Sequence, residues 1–149
     1  MSDVITIDDI RRARQRIAGM VRETPLVHSS TLSDITDGDV YLKYEHLQIT
    51  GSFKLRGATN AIRALSADAR AKGVIGVSTG NHGRGLAHAA KQLETRCIIC
   101  MSELVPANKV EAIRGEGAEI VITGRSQDEA QKEVDRRVEE DGMTMLPPF

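Results

Sequence analysis

In the second half of the chain, short apolar runs alternate with longer stretches whose apolar positions recur every three to four residues. Val74-Ile75-Gly76-Val77, Cys97-Ile98-Ile99-Cys100-Met101, Glu119-Ile120-Val121-Ile122 and Met143-Thr144-Met145-Leu146 are compact apolar or β-prone segments and predict strands. The stretches between them predict helices over 83–93, over 106–114 with Pro106 as first helical residue, and from the capping box Ser126-Gln127-Asp128-Glu129 to Gly142. Ala130, Val134 and Val138 place one apolar stripe on that last helix. Apolar strands alternating with amphipathic helices imply an α/β fold, an open parallel sheet with helices on both faces.

The first half has a different texture. Thr6 caps a helix with Asp8 and Asp9 in its first turn and Ile7, Ile10 and Ile17 on one stripe until Gly19, which reads as a packing helix. Thr24 to Val27 is extended because Pro25 excludes its predecessor from helical space, 29–35 predicts a short helix ending near Asp37-Gly38, and 40–45 predicts a strand. That strand leads into Thr50-Gly51-Ser52-Phe53-Lys54-Leu55-Arg56-Gly57-Ala58, with Gly51 as turn, Ser52 as N-cap and a helix to about Leu65. Lys54 then occupies the first turn, where the helix dipole disfavours an ammonium by roughly 0.3–1 kcal/mol and Arg56 adds to the effect. A neutral amine is what condensation with a carbonyl cofactor requires. A solvated lysine at a helix start fits the local pattern as well.

Ser78-Thr79-Gly80-Asn81-His82-Gly83 joins a predicted strand to a predicted helix and so lies at the carboxyl end of the sheet, where open α/β folds bind ligands. Free N–H groups and the positive dipole end of a helix suit an anion such as an amino-acid carboxylate, and the Ser78 and Thr79 hydroxyls and the Asn81 amide can add hydrogen bonds. A glycine-shaped helix start capped by His82 is the alternative.

A chain of 149 residues suits one α/β unit, and its net charge of −1 provides no basic field for nucleic acid or anionic lipid. No apolar run reaches the ~20 residues of a membrane helix, and Met1-Ser2-Asp3 lacks the features of a signal peptide, so the chain reads as cytoplasmic with a small-molecule partner. Cys97 and Cys100 mimic a C-x-x-C pair, but on a strand residues three apart point to opposite faces, so both read as core thiols and no metal is expected. His28, His46 and His88 show no ligand spacing and receive no role.

Ser52-Phe53-Lys54-Leu55-Arg56-Gly57-Ala58 closely resembles the cofactor-lysine motif of the threonine/serine dehydratases, pyridoxal-phosphate enzymes of fold-type II, and Ser78 to Gly83 resembles their second motif. Further likeness runs through 40–48, Lys109-Val110, Gly117-Ala118-Glu119 and Asp128-Glu129-Ala130, so it covers nearly all of the chain from Thr24. The resemblance implies pyridoxal 5'-phosphate carried covalently on Lys54, which also serves as base at the substrate Cα. It further implies that Asn81 contacts the cofactor's phenolic oxygen, and that Ser78, Thr79, Gly80, Asn81 and His82 form the substrate-carboxylate loop. Phe53 reads either as packing against the cofactor or as a core phenylalanine. The implied reaction is β-elimination from a hydroxy-amino acid such as L-threonine or L-serine, giving a 2-oxo acid and ammonia, by an enzyme that is a homo-oligomer when complete. Threonine dehydratases usually carry alanine at the position of Thr79 and serine racemases serine, so a racemase-like activity is an alternative. The segment from Ser78 to Gly85 also resembles dehydratases of hydroxyectoine breakdown.

By the same resemblance, residues 1–50 and 143–149 belong to a larger domain and 51–142 to a smaller one. The phosphate-binding glycine loop and the partner of the pyridine nitrogen have no counterpart in the chain, which reads as the N-terminal part of such an enzyme, inactive alone. Two readings of other classes remain. One is a dinucleotide-binding module built on Gly80, Gly83, Gly85 and Glu103, although G-x-x-G-x-G is not the usual spacing. The other is a catalytically silent fragment.

Overall fold

The computed structural model describes residues 4–148; Met1-Ser2-Asp3, whose lack of signal-peptide features was noted above, and Phe149 lie outside the described residues. Helix α1 (Ile7–Arg16) begins where predicted, because Thr6 Oγ1 accepts the Asp9 N–H while the Asp9 carboxylate accepts the Thr6 N–H. Its stripe is split. Ile17, just past the helix, is buried, whereas Ile7 and Ile10 stay more than half exposed, so α1 does not bury the face its sequence predicts.

Strand β1 (Leu26–His28), helix α2 (Ser30–Thr36) and strand β2 (Tyr41–Lys43) follow, with Ser29 capping α2. The strand expected over 40–45 stops at Lys43, and Glu45–Leu47 forms a 3-10 turn. Rather than joining a parallel sheet, β2 pairs antiparallel with β1, Val27 opposite Leu42, in a two-stranded ribbon exposed along both strands.

Helix α3 (Lys54–Ala64) precedes α4 (Ala67–Lys72), a short helix capped by Ser66 that has no buried residue and hence no apolar period to announce it. From there every predicted strand appears: β3 (Val74–Val77), β4 (Cys97–Met101), β5 (Glu119–Ile122) and β6 (Thr144–Met145), joined through α5 (Asn81–Gln92), α6 (Ala107–Gly115) and α7 (Gln127–Asp141). All four strands are parallel, in the order β5-β4-β3-β6. Pro106 is the cap of α6 and not its first residue, since its ψ of 138° is extended. The Ser126 box is half formed: Ser126 caps the Glu129 N–H, but the Glu129 carboxylate accepts from Arg125.

The sheet separates two cores. Leu55 and Ile62 of α3, Leu86 of α5, Ile113 of α6 and Ile99 of β4 fill one face, while Ala130 and Val134 of α7 meet Ile75, Ile98 and Met143 on the other. Cys97 belongs to the first core and Cys100 to the second, as strand periodicity requires. Burial pushes their thiols up to about 12 and about 11, so neither is a ready thiolate. No cluster of potential metal ligands occurs among the described residues, and no helix among them is long and apolar enough to cross a membrane.

Candidate active site

The turn before α3 is made by Gly51 at φ +75°, whose N–H donates to Gln48 O at 2.8 Å. The chain then takes one more residue than expected. Phe53 adopts helical angles ahead of Lys54 and no side chain caps the helix, so Ser52 is not the N-cap; its hydroxyl is buried without a partner. Lys54 is the first residue of α3. The charge of Arg56 does not bear freely on it, because the guanidinium grips Glu45 through Nε at 3.0 Å and Nη2 at 2.7 Å and also reaches Arg22 O. The Arg56 hydrogen bond in turn holds the Glu45 carboxyl below the usual carboxylate range. This fork ties the turn after β2 to α3 and so fixes the direction in which the lysine helix leaves.

At the second motif the Ser78 hydroxyl, not His82, caps α5, accepting N–H groups from Gly83 at 2.8 Å and Gly80 at 3.3 Å. The backbone N–H groups of Asn81 and His82 have no partner among the described residues and remain open at the helix start. Thr79 is half-buried, while Gly80 and Asn81 are exposed.

The two motifs meet because α5 lies directly against the start of α3. A Cβ at Gly85 would stand 3.1 Å from Leu55 N and 3.2 Å from the Lys54 carbonyl carbon, so any larger residue would force these backbone atoms to give way. Lys54, Phe53 and His82 thereby line one cavity of about 290 Å³, closed on its far side by Leu146, Pro147 and Pro148. Lys54 Nζ donates to Pro148 O at 2.6 Å and lies 5.0 Å from the Phe53 ring centre. Phe53 is 58% exposed, which excludes the core alternative within this chain. Neither Thr79 nor Asn81 lines that cavity. A larger hollow of about 720 Å³, between α1 and α3, contains none of the predicted site residues.

His82 is the one residue of the second motif that turns into the cavity. Its Nε2 donates to Leu146 O at 2.9 Å, and burial, with a smaller effect from the Lys54 cation, holds its pKa below the usual histidine value. The folded state therefore favours the neutral ring, and the unfolded chain takes up the proton first on acidification. The contribution of His82 to stability is complete above about pH 6.5, the unfolded value, and is lost as pH falls from there toward the lower folded one. The difference in melting temperature between wild type and His82→Gln should accordingly shrink between pH 7.5 and 5.5. A constant difference would show that the ring titrates alike in both states.

Sequence reasoning missed the brace behind the loop: His88 Nδ1 lies 2.8 Å from Glu116 Oε2, and Arg84 shares that carboxylate at 3.4 Å. The partner of His88 sits 28 positions away, a separation that leaves no local signal.

An amine beside an aromatic ring in a largely apolar hollow fits the carbonyl end of pyridoxal phosphate. Among the described residues, no second lysine or arginine lines the hollow to hold a phosphate. Residues 17–149 match the family model described as pyridoxal-phosphate dependent enzyme. The chain belongs to that family. It is 57% identical over 145 residues to a Sinorhizobium fredii protein named "Putative threonine dehydratase", covering 97% of this chain and 44% of that one. Among solved structures it is similar to serine racemase from Dictyostelium discoideum, with a TM-score of 0.90 at 34% identity, covering 97% of this chain and 47% of that one. It is also similar to the processed form of threonine deaminase isoform 2 from Solanum lycopersicum, with a TM-score of 0.83 at 35% identity, covering 97% of this chain and 41% of that one. The family chain thus spans less than half the length of these relatives, and its fold is that of fold-type II pyridoxal-phosphate enzymes.

Proposed function

We propose that the chain provides the lysine and the substrate loop of a pyridoxal-phosphate dependent enzyme that eliminates the β-hydroxyl of a hydroxy-amino acid, yielding a 2-oxo acid and ammonia. The observation that carries this reading is the convergence of the two motifs, with Lys54 and the start of α5 brought together at Gly85. When bound, the cofactor supplies the electron sink for charge developing at the substrate Cα. Lys54 Nζ would hold it and, as the free amine once substrate is bound, would move the Cα proton. The open N–H groups of Asn81 and His82 would bind the substrate carboxylate at the dipole end of α5, Phe53 would shield one side of the hollow, and the Asn81 amide, exposed just outside that hollow, is the group the family resemblance assigns to the cofactor's phenolic oxygen. Ser78 keeps the loop in shape through its cap while its own proton remains available to a substrate oxygen. Thr79 brings a hydroxyl to the loop, which, with the likeness to a serine racemase, supports a racemase-like activity as second reading.

The distribution of burial supports assigning 51–142 to a smaller domain and 1–50 to a larger one, while 143–149 is tied to the smaller one through β6 and the buried Met143. Among the described residues, buried apolar side chains run from Leu55 to Met143 with Ile17 the sole outlier, whereas Ile5, Ile7, Leu26, Ile35 and Tyr41 are all more than half exposed. The net charge of −1 fits a cytoplasmic enzyme acting on a small amino acid, homo-oligomeric when complete.

The test is covalent. Incubation with pyridoxal phosphate, borohydride reduction and peptide mapping should place a pyridoxyl group on Lys54, and Lys54→Ala should lose it completely. Because the hollow offers a phosphate neither a glycine-rich loop nor a second cation among the described residues, saturation should need far more cofactor than the longer relatives require. A label confined to Lys43, Lys72 or Lys91 would refute the assignment.

A further inference from the structure

We propose that His82 is a positioning residue that sets Lys54 through the backbone of the Leu146–Pro148 segment. This rests on the reading of Lys54 as the cofactor lysine, but its geometry stands independently. Strand β6 pairs with β3 only as far as the Leu146 N–H, which donates to Ile75 O at 3.0 Å. Pro147 and Pro148 have no N–H, so the sheet ladder cannot continue, and their fixed φ makes the two residues a stiff strap. Two carbonyls of the Leu146–Pro148 segment meet side chains instead. Leu146 O accepts from His82 Nε2 at 2.9 Å, and two residues later Pro148 O accepts from Lys54 Nζ at 2.6 Å.

The contact is built in. A Cβ at Gly76 would come within 3.2 Å of Leu146 O and 3.8 Å of His82 Nε2, so the glycine leaves room for carbonyl and ring to meet. His82 as a whole is only 8% exposed. The start of α5, the end of β6 and the first residue of α3 are thereby joined through two hydrogen bonds and one rigid dipeptide. A shift of His82 is transmitted to the carbonyl that receives the amine, and the substrate loop and the lysine move as one unit.

Reductive methylation of the intact chain, followed by mass spectrometry, reads the strap without any cofactor. In wild type, Lys54 should react several-fold more slowly than the exposed Lys109, whose rate serves as the internal reference. His82→Leu, which removes the donor, should bring the Lys54 rate several-fold closer to that of Lys109. His82→Gln, whose amide nitrogen can occupy the place of Nε2, should restore protection. Pro147→Gly, which leaves His82 intact and loosens the strap, should also speed Lys54, and it carries the test if His82→Leu does not fold by circular dichroism. Equal Lys54 rates in wild type, His82→Leu and Pro147→Gly would overturn the proposal, as would a His82→Gln rate equal to that of a folded His82→Leu. Failure of pyridoxyl labelling with the methylation pattern intact would instead remove the cofactor reading and leave the strap standing.

Discussion

Leu55→Ala is expected to lower the stability of the chain by about 3–5 kcal/mol, the upper part of the range for a leucine lost from a rigid core. Leu55 follows Lys54 directly, is completely buried, and belongs to the core that contains Leu86 of α5 and Ile113 of α6. Its surroundings cannot readily collapse onto the vacated space. Its backbone is already at the closest approach that Gly85 allows, and the sheet behind this core is held by parallel pairing on both sides of β3. Urea denaturation should show a lower midpoint at unchanged slope. Ile122→Ala, at a side chain 46% exposed, should cost under about 1 kcal/mol in the same assay. A Leu55→Ala loss as small as that of Ile122→Ala would mean that α3 and α5 share no tightly packed core.

The elements from Val74 onward are legible in the sequence because both faces of their sheet are covered. β3, β4 and β5 run over the residues their apolar runs indicate, and Cys97 and Cys100 fall into different cores as a period of two demands. The first fifty residues are legible only locally. Thr6 and Ser29 cap as their residue types suggest, yet Ile7, Ile10 and both strands of the ribbon remain exposed. An apolar pattern states which face seeks burial and not what buries it, and the relatives are more than twice as long as this chain. At the site, the residue types were readable and their connections were not. Nothing local to His82 points to Leu146, 64 positions away, and nothing around Arg56 indicates that Glu45 takes up its charge. Ser52 misled for a more local reason: capping chemistry was in place, but Phe53 added a helical residue between the serine and the helix start.

Gly85→Val, two residues beyond the second motif, should be a strongly damaging change. The valine Cβ would meet Leu55 N at 3.1 Å, the Lys54 carbonyl carbon at 3.2 Å and Leu55 Cα at 3.3 Å, and all three are backbone atoms that cannot rotate aside. Its two methyl groups must be accommodated beyond that contact, so α5 and the first turn of α3 have to separate. Valine is the better helix former by a few tenths of a kcal/mol, which offsets little of an overpacking cost on the order of 3 kcal/mol. Gly57→Ala is the control on the same helix pair. A Cβ there meets nothing within 4 Å, so the substitution should stabilise α3 by about 0.5–1 kcal/mol. The double variant Leu55→Ala/Gly85→Val separates the two causes. If the clash is with the backbone of Leu55, the space vacated by its side chain gives no relief, and the coupling between the two changes should fall at or below the low end of the roughly 0.5–3 kcal/mol usual for residues in contact. A double variant more stable than Leu55→Ala alone would place the valine in the leucine cavity and refute the backbone contact on which the joining of the two motifs depends.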